Sequence, residues 1–241
     1  MAYKKVCIII PSRMSSTRFP DKPLVDIDGV SMIQRVYERC LKSKADAVVV
    51  ATSDQIIYDH VTEFGVCIMT PEFDNGTLRV CYATKQLSDK YDCIINVQGD
   101  EPYLDLNFLN RFIDDTMWLR GRTILTGASK CQSYEELIDH NSVKLIGDGY
   151  NAIGFTRSPF FMKNKDLYKH VGIYGFRYDD LEEIESLKPS DLSKRESLEQ
   201  VRWMEERFKM LFTLSYTQTI SIDTPEDLQN CITKIKNGEL K

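Results

Sequence analysis

The chain has 241 residues, of which 42% are hydrophobic and 28% charged, and its formal net charge is −5. This composition is typical of a globular protein with one large domain or two small ones. The acidic balance does not favour a general nucleic-acid or anionic-membrane surface, and no apolar run approaches the roughly 18 residues that span a bilayer. An anionic ligand would therefore have to be bound by local cations.

The chain has seven cysteines, an odd number, and no two of them form a C-x-x-C motif. Most of them lie inside apolar runs. This pattern predicts reduced thiols in the core and no zinc site. The N-terminus has no apolar segment of the signal-peptide type. On these grounds we expect a cytoplasmic protein.

Short apolar runs alternate with amphipathic patterns through the first half of the chain. The runs KVCIII, DAVVVATS, VCIMT and YDCIINVQGDEP predict buried strands. The stretches SMIQRVYERCLKSK, QIIYDHVTEFG, GTLRVCYATKQLS and NFLNRFIDDTMWLRG predict helices. Strands that alternate with helices predict parallel strands joined by crossovers. The expected fold class is therefore α/β, a mainly parallel twisted sheet with flanking helices.

The second half of the chain is richer in β structure. SVKLIGDGYNAIGFTR predicts a hairpin, HVGIYGFR and KMLFTLSY predict strands, and SLEQVRWMEERF predicts a helix. The last helix has the clearest signals, because Thr224 suits the N-cap, Pro225 the first turn and Gly238 the end. We predict a single domain over residues 1–241 with a smaller β-rich insertion at about 126–178.

Three segments place polar residues after strands, where ligands collect at the carboxyl edge of an open α/β sheet. The first is PSRMSSTRFPDKP. Its Arg13 and Lys22 can bind phosphate oxygens, with further donors from Ser12 and residues 15–17. The segment is neither a Walker loop nor a GxGxxG fingerprint. A solvated surface loop is the alternative.

The second segment, INVQGDEP, ends the most apolar strand with Asn96, Gln98, Asp100 and Glu101. A carboxylate beside a phosphate-binding loop is a natural Mg²⁺ ligand for a nucleoside triphosphate, although a simple turn accounts for the same residues. The third segment, SIDTPED, places Asp223 before a helix. Asp223 is either part of a helix cap or a second metal carboxylate beside Asp100.

Together these segments resemble the CMP-Kdo synthetases, the 3-deoxy-manno-octulosonate (Kdo) cytidylyltransferases of the sugar-activating nucleotidyltransferases. The matching pieces follow the family's order over nearly the whole chain: IPSRMSSTRFPDKPL, DGVSMIQRVYER, VVVATSD, NGT-R, IINVQGDEP, NSVKLI, HVGIYGFR, SLEQVRW and IDTPEDL. NVQGDEP, HVGIYGFR and LEQ are specific for the Kdo branch. Relatives that activate sialic acid share the fold and the basic first loop but not this set.

The resemblance implies the Rossmann-like fold of nucleotide-diphospho-sugar transferases and a CTP-dependent nucleotidyltransferase. The anomeric hydroxyl of a 2-keto-3-deoxy sugar acid, Kdo or a close variant, would attack the α-phosphorus of CTP and release pyrophosphate. The product would serve lipopolysaccharide or capsule-type glycan synthesis. Such a transfer needs positioning and charge neutralisation more than covalent chemistry. The resemblance also implies a cytoplasmic homodimer with no nucleic-acid partner and no membrane insertion. It gives the β-rich insertion at about 126–178 a role in sugar binding and dimerisation.

The resemblance further implies roles for individual residues. Arg13 and Lys22 would hold the triphosphate, while Asp100 and Asp223 would hold Mg²⁺, which orients the attacking oxygen and neutralises phosphate charge. Arg157 would pair with the substrate carboxylate. The residues bordering the cytosine would be Ser12, Asn75, Gly76 and Thr77, with Arg79 closing that motif. The residues surrounding the sugar acid would be Gln98, Arg157, His170, Tyr174, Glu199 and Gln200.

The stretch FDNGTLR departs from the family pattern, which has a histidine, a serine and a glutamate where this chain has Phe73, Asn75 and Leu78. The segment between Arg157 and His170 is shorter than in many members, and YTQTIS replaces a glycine-containing loop. The first changes border the pocket, so they bear on the identity of the sugar more than on the chemistry. The alternatives are an amino-substituted octulosonate, a different acidic sugar or acceptor, and a catalytically silent nucleotide-binding homologue.

Overall fold

A nine-stranded sheet forms the centre of the computed structural model, which describes residues 3–15, 19–131, 133–158, 166–217 and 220–240. The strands are β1 (Val6–Ser12), β2 (Asp26–Ile27), β3 (Val30–Ser31), β4 (Ala47–Thr52), β5 (Cys67–Met69), β6 (Cys93–Val97), β7 (Thr123–Lys130), β8 (Lys144–Asp148), β9 (Asn151–Thr156), β10 (Asp166–Arg177) and β11 (Lys209–Ser215). The helices are α1 (Met32–Leu41), α2 (Gln55–Thr62), α3 (Gly76–Lys85), α4 (Leu106–Met117), α5 (Tyr134–Ile138), α6 (Tyr178–Ser186), α7 (Asp191–Glu196), α8 (Glu199–Glu205) and α9 (Pro225–Lys236).

The sheet has the strand order β5-β4-β1-β6-β10-β7-β11-β9-β8. The strands β5, β4, β1 and β6 run parallel to one another, and β7 runs parallel to β11. The long strand β10 runs antiparallel between β6 and β7 and so joins the two parallel parts. The first residues of β10 also pair with β8. Because β8 pairs with β9 and β9 pairs with β11, the strands β10, β7, β11, β9 and β8 form a closed ring of pairings.

The predicted α/β class is confirmed, and the first half of the chain follows the predicted alternation of strands and helices. The hairpin in the second half is formed by β8 and β9, and the last helix is α9. The antiparallel insertion of β10 into the sheet was not predicted. The strands of the region at about 126–178 continue the central sheet, and a separate function of this region in sugar binding or dimerisation stays a prediction.

Helices cover both faces of the sheet, which explains why its strands are continuously apolar. Along β1, Ile8 and Ile10 face a cluster built with α1, α2 and α4. The alternate residues Cys7 and Ile9 face a second cluster, built with α3, α6 and α8. The seven cysteines carry free thiols. Within the described ranges, no helix is long and apolar enough to cross a membrane.

A third apolar cluster attaches α9 to the rest of the fold. Leu228 and Cys231 on α9 pack with Ile222, Ile27 and Met32. This contact brings the chain just before α9 to the edge of the sheet where β1 and β6 end. The C-terminal helix thereby carries Asp223 to the candidate site.

Candidate active site

A polar cleft follows the carboxyl ends of β1 and β6, and Gln98 lines all three of its connected compartments. The loop compartment, about 330 Å³, is bordered by Ser12, Arg13, Lys22, Asp100 and Asp223. The central compartment, about 630 Å³, is bordered by Asp100, Asp223, Asn141, Arg157 and His170. The inner compartment, about 450 Å³, is bordered by Asn75, Thr77, Arg157, His170, Tyr174, Glu199 and Gln200. Thirteen of the fifteen predicted site residues border these compartments, and the other two are Gly76 and Arg79.

An ion-paired cluster joins three segments that are far apart in the sequence. Lys22 Nζ donates to Asp100 Oδ2 at 2.7 Å and to Asp223 Oδ1 at 3.0 Å. The Lys22 side chain is 14% exposed. Its burial lowers the pKa, but Asp100 and then Asp223 more than offset this and raise the pKa above the usual value. Lys22 therefore carries a full positive charge between two carboxylates at neutral pH.

The main chain fixes the two carboxylates relative to each other. The N–H of Ile222 donates to the carbonyl of Asp100 at 3.0 Å, which ties the segment after β6 to the segment before α9. The Asp227 carboxylate accepts from the N–H groups of Asp223 and Thr224 at 3.0 and 2.8 Å. The Thr224 side chain in turn accepts from the Asp227 N–H. Thr224 is therefore the N-cap of α9, as predicted, and it forms a reciprocal capping box with Asp227.

Two part-exposed carboxylates that converge on one cation suit a divalent metal ion. Mg²⁺ in nucleotide sites takes one or two carboxylates and completes its shell with phosphate oxygens and water. Asp100 and Asp223 are 24% and 38% exposed, so further oxygen ligands can reach them. Among the described residues, no group of three or more His, Cys, Asp or Glu side chains could hold a metal by itself. The donor set fits a metal ion that arrives with a polyphosphate.

The neighbouring Glu101 differs from Asp100 in its burial. It is a buried side chain on the border of the central compartment. Burial, followed by the charge of Asp100, raises the pKa of Glu101 to about 8. Glu101 therefore adds little negative charge to the cluster at neutral pH.

The first loop begins at the end of β1 with Ser12, which is buried, and continues with Arg13, which is exposed. Both side chains border the loop compartment. The N–H of Met14 donates to the Asp54 carboxylate at 2.9 Å and anchors this part of the loop. Residues 16–18, which include two of the predicted donors, lie outside the described part of the chain.

The first turn of α3 explains part of the FDNGTLR departure. Asn75 is the N-cap of α3, and its side-chain oxygen accepts from the Leu78 N–H at 2.9 Å. Asparagine and serine serve this position about equally well. A Cβ on Gly76 would lie 3.1 Å from Pro11 Cγ, so a larger residue here would require Pro11 to shift by a few tenths of an ångström. Phe73 packs on Tyr82 with 5.6 Å between ring centroids.

Arg79 lies beneath the first turn of α3 and is 2% exposed. Its Nε donates to Thr70 Oγ1 at 3.3 Å and its Nη2 donates to Ser53 Oγ at 3.2 Å. Burial, followed by the charge of Arg13, lowers the pKa of Arg79. These contacts tie α3 to the ends of β4 and β5. A contact of Arg79 with substrate stays a prediction.

The inner compartment is lined by aromatic rings from β10. His170 Nε2 lies 2.8 Å from Thr126 Oγ1, and its ring contacts Phe155 and Tyr174 with centroid distances of 5.3 and 5.6 Å. Burial, followed by the charge of Arg157, lowers the pKa of His170 to about 3. The imidazole is therefore neutral at physiological pH.

The start of α8 adds an acid and an amide to the same compartment. The Tyr174 hydroxyl donates to Gln200 Oε1 at 3.4 Å, and its ring packs edge-on against Trp203. Burial raises the pKa of Glu199 to about 7, although the Thr77 hydroxyl opposes the shift. Burial also raises the pKa of Tyr174. This part of the cleft therefore presents neutral or nearly neutral hydrogen-bonding groups.

Arg157 stands between the central and inner compartments. Its Nη1 donates to the Asn141 carbonyl at 2.8 Å, and its Nε donates to the Glu196 carbonyl at 3.4 Å. Within the described ranges, its hydrogen bonds go to carbonyl groups and to no carboxylate. The guanidinium therefore keeps its charge available for an anionic ligand.

Several residues of the cleft were not found from the sequence. Leu187, Leu198 and Trp203 give the inner compartment an apolar wall, and Lys194 adds a cation to it. Lys169 borders the central compartment. Leu198 and Trp203 belong to the SLEQVRW piece that carried the resemblance, but no local pattern shows that these residues and the others face one cavity.

The strand order and the flanking helices define the fold class of the protein. The fold is shared with the solved structure of a 4-diphosphocytidyl-2C-methyl-D-erythritol synthase from Anaerococcus prevotii, with a TM-score of 0.65 at 15% identity. That match covers 97% of this chain and 96% of the other. At this level of identity the likeness concerns the fold.

Residues 7–211 match the model of the cytidylyltransferase family, and the chain belongs to this family. It is 38% identical over 240 residues to a 3-deoxy-manno-octulosonate cytidylyltransferase from Fusobacterium nucleatum, covering 97% of this chain and 98% of that protein. A solved structure of a CMP:2-keto-3-deoxy-manno-octonic acid synthetase complexed with CTP matches with a TM-score of 0.89 at 32% identity. That match covers 97% of this chain and 99% of the other, and the resemblance found in the sequence is confirmed.

Proposed function

We propose that this protein is a nucleotidyltransferase that activates Kdo with CTP and gives CMP-Kdo and pyrophosphate. The observation that carries the proposal is the cluster of Lys22, Asp100 and Asp223, because it borders a compartment that continues to Arg157. A polyphosphate and a substrate carboxylate would thus bind along one cleft. The relative that is 38% identical over nearly the whole chain is named for the same reaction.

The reaction joins the anomeric hydroxyl oxygen of Kdo to the α-phosphorus of CTP. The bond between that phosphorus and the oxygen bridging to the β-phosphate breaks, and pyrophosphate leaves with this oxygen. The hydroxyl proton is released to water. Arg13 and Lys22 would offset the growing charge on the leaving pyrophosphate, which is the main requirement of phosphoryl-type transfers.

Asp100 and Asp223 would hold Mg²⁺ together with phosphate oxygens. The bound ion would neutralise phosphate charge and help to align the two substrates. The Lys22 ammonium bridges the two carboxylates. The Asp227 carboxylate accepts from the Asp223 N–H, and the Ile222 N–H donates to the Asp100 carbonyl, so both aspartates are held in place. This arrangement prepares the carboxylates before the nucleotide arrives.

The central and inner compartments would bind the sugar acid. Arg157 would pair with the carboxylate, and Gln98, which lines all three compartments, would lie between the two substrates. Neutral hydrogen-bonding groups suit the sugar hydroxyls, and these would be supplied by His170, Tyr174, Glu199 and Gln200. The cytosine would lie against Ser12 and the turn formed by Asn75, Gly76 and Thr77.

A second candidate function is the activation of a different acidic sugar. Leu78 borders the inner compartment together with Leu187, Leu198 and Trp203, so this part of the cavity is more apolar than an octulosonate rich in hydroxyls requires. A sugar acid with fewer free hydroxyls or with an altered substituent fits such a wall. Arg157 and the ion-paired cluster would act on it in the same way.

The test is turnover with CTP, Mg²⁺ and Kdo, measured by release of pyrophosphate and by the mass of the CMP-linked product. A panel of other 2-keto sugar acids, and UTP and ATP in place of CTP, run in parallel. Product from Kdo supports the first candidate, whereas product from another acid alone supports the second. Binding of CTP in a calorimeter without product from any acid would reject both and indicate a silent homologue.

We also propose that the chain forms a cytoplasmic homodimer. Tyr150 and Ile153 on the β8–β9 hairpin are exposed, and apolar side chains of this kind are common at the centre of subunit interfaces. The free cysteines suit a reducing compartment. Light scattering during size-exclusion chromatography should give twice the chain mass. A monomer mass at working enzyme concentrations would reject the dimer.

A further inference from the structure

Lys144, the first residue of β8, is 1% exposed. Lysine is almost never fully buried unless an acidic group pairs with it, because an unpaired charge is costly to remove from water. Within the described ranges, no salt bridge joins Lys144 to a carboxylate. The cost of burying this ammonium must therefore be offset by other groups.

Three backbone carbonyls surround the ammonium group. Lys144 Nζ donates to the carbonyl of Asp139, to that of Ser142 at 2.9 Å and to that of Arg157 at 3.1 Å. A lysine ammonium has three N–H donors, so each of them has a partner. The side chain has no donor left for a substrate, and its contacts are structural in kind.

The same contacts tie Arg157 to the turn formed by residues 139–142. Lys144 links the carbonyl of Arg157 to that turn, and the Arg157 guanidinium donates back to the carbonyl of Asn141 at 2.8 Å. The backbone and the head group of Arg157 are thus held by one segment. Asp139, Asn141, Ser142 and Arg157 all border the central compartment.

We infer that Lys144 is a positioning residue that orients Arg157 toward the carboxylate of the acidic substrate. This inference rests on the proposed function for the identity of that substrate. Without the ammonium, the carbonyls of Asp139, Ser142 and Arg157 would lose their shared donor, and the turn would no longer be tied to the backbone of Arg157. Arg157 could then shift, and displacements of about 1 Å near a reacting group are enough to cost up to ~100-fold in rate.

Lys144→Met tests the inference, because methionine fills a similar volume and has no N–H donor. We expect the KM for Kdo to rise by about tenfold or more while the KM for CTP changes by less than about twofold. Lys44→Met is the matched control, since the same change is made there in an exposed lysine that pairs with Asp114. Equal changes of both KM values would overturn the inference.

A double-mutant cycle with Arg157→Gln separates positioning from a general effect on stability. If Lys144 acts through Arg157, adding Lys144→Met to Arg157→Gln should raise the KM for Kdo by less than about twofold further. A full additional rise would overturn the inference. Where Lys144→Met does not fold, Lys144→Gln replaces it, because the amide keeps two donors. It should raise the KM for Kdo by a smaller factor, and an unchanged KM would count against the inference.

Crystal structures of the wild type and of Lys144→Met supply a readout that does not depend on the sugar. We expect the turn at residues 139–142 and the Arg157 guanidinium to be displaced in the variant. An unchanged Arg157 would overturn the inference even if Kdo is not the substrate. Absence of turnover by the wild type with Kdo would instead concern the proposed function alone.

Discussion

The two ends of the cleft handle charge in opposite ways. At the loop compartment, Lys22, Asp100 and Asp223 are part-exposed and mutually paired, so the pKa of Lys22 rises and its charge is kept. At the inner compartment, burial lowers the pKa of His170 to about 3 and raises that of Glu199 to about 7. The loop end therefore keeps its titratable groups charged, which suits phosphates. At the inner end, called the neutral end below, burial neutralises His170 and partly neutralises Glu199, which suits sugar hydroxyls, while Arg157 and Lys194 remain as cations on its border.

The largest effect expected is that of Asp100→Ala, which should lower kcat by about 10³-fold or more, because it removes a metal carboxylate and one partner of Lys22. Pyrophosphate release at saturating CTP and Kdo measures it. Asp100→Asn keeps the shape without the charge and should lose nearly as much. Asp114→Ala, at a surface ion pair with Lys44, is the control and should behave as the wild type. Near-normal turnover of Asp100→Ala would show that Asp100 does not bind the metal ion required for the reaction.

Lys22→Met comes next, because it removes the cation that the two carboxylates share. We expect kcat/KM for CTP to fall by about 100-fold, since electrostatic stabilisation at the phosphates is lost. The KM for Kdo should change much less, because the inner compartment does not contact Lys22. Steady-state kinetics with each substrate varied in turn makes the comparison. Equal losses for both substrates would contradict the division of the cleft into a charged and a neutral end.

A pH dependence tests the neutral end of the cleft. The pKa of Glu199 is raised to about 7 in the folded state, so between its unfolded pKa, near 4.5, and pH 7 the folded state binds more protons than the unfolded state. The contribution of the Glu199 carboxyl to the free energy of unfolding is therefore fully present below pH 4.5 and is lost as the pH rises toward 7. Glu199→Gln removes the penalty, and its free energy of unfolding should exceed the wild-type value by about 3 kcal/mol at pH 8.

Urea unfolding at pH 4.5 and at pH 8 measures this difference. The gain from Glu199→Gln should be small at the lower pH, where the carboxyl is protonated in the folded state and about half protonated in the unfolded state. Glu205→Gln, on an exposed ion pair of the same helix, is the control and should show little pH dependence. The same gain at both pH values would indicate a packing effect and contradict the raised pKa of Glu199.

The charged end of the cleft could be predicted from the sequence, because its residues follow strands and belong to short segments with distinct polar patterns. Arg13 and Lys22 lie in one loop, and the parallel arrangement of β1 and β6 places Asp100 at the same edge of the sheet. The position of Asp223 beside them depends on the packing of α9, in which Leu228 takes part. Sequence alone left capping and metal binding open for Asp223, and the capping is carried by Thr224 and Asp227 instead.

The neutral end could be predicted only through the resemblance, because its geometry depends on long-range pairing. His170 and Tyr174 reach the cleft because β10 enters the sheet antiparallel between β6 and β7. No local periodicity specifies that partner choice. The burial that shifts the pKa of Glu199 likewise comes from elements distant in the chain. For the same reason, the contacts of Lys144 with three backbone carbonyls could not be predicted from the sequence NSVKLI.

The smallest effect concerns Asn75, which borders the inner compartment. Because asparagine and serine cap helices about equally well, Asn75→Ser should change the free energy of unfolding by less than about 0.5 kcal/mol. Asn75→Ala should cost about 1 kcal/mol, since the Leu78 N–H would lose its acceptor. Thermal unfolding measures both variants, and steady-state kinetics gives their KM for CTP. If Asn75→Ser is as stable as the wild type but its KM for CTP rises several-fold, the asparagine contacts the nucleotide as well as capping α3. An unchanged KM would assign this departure from the family pattern to the helix cap alone.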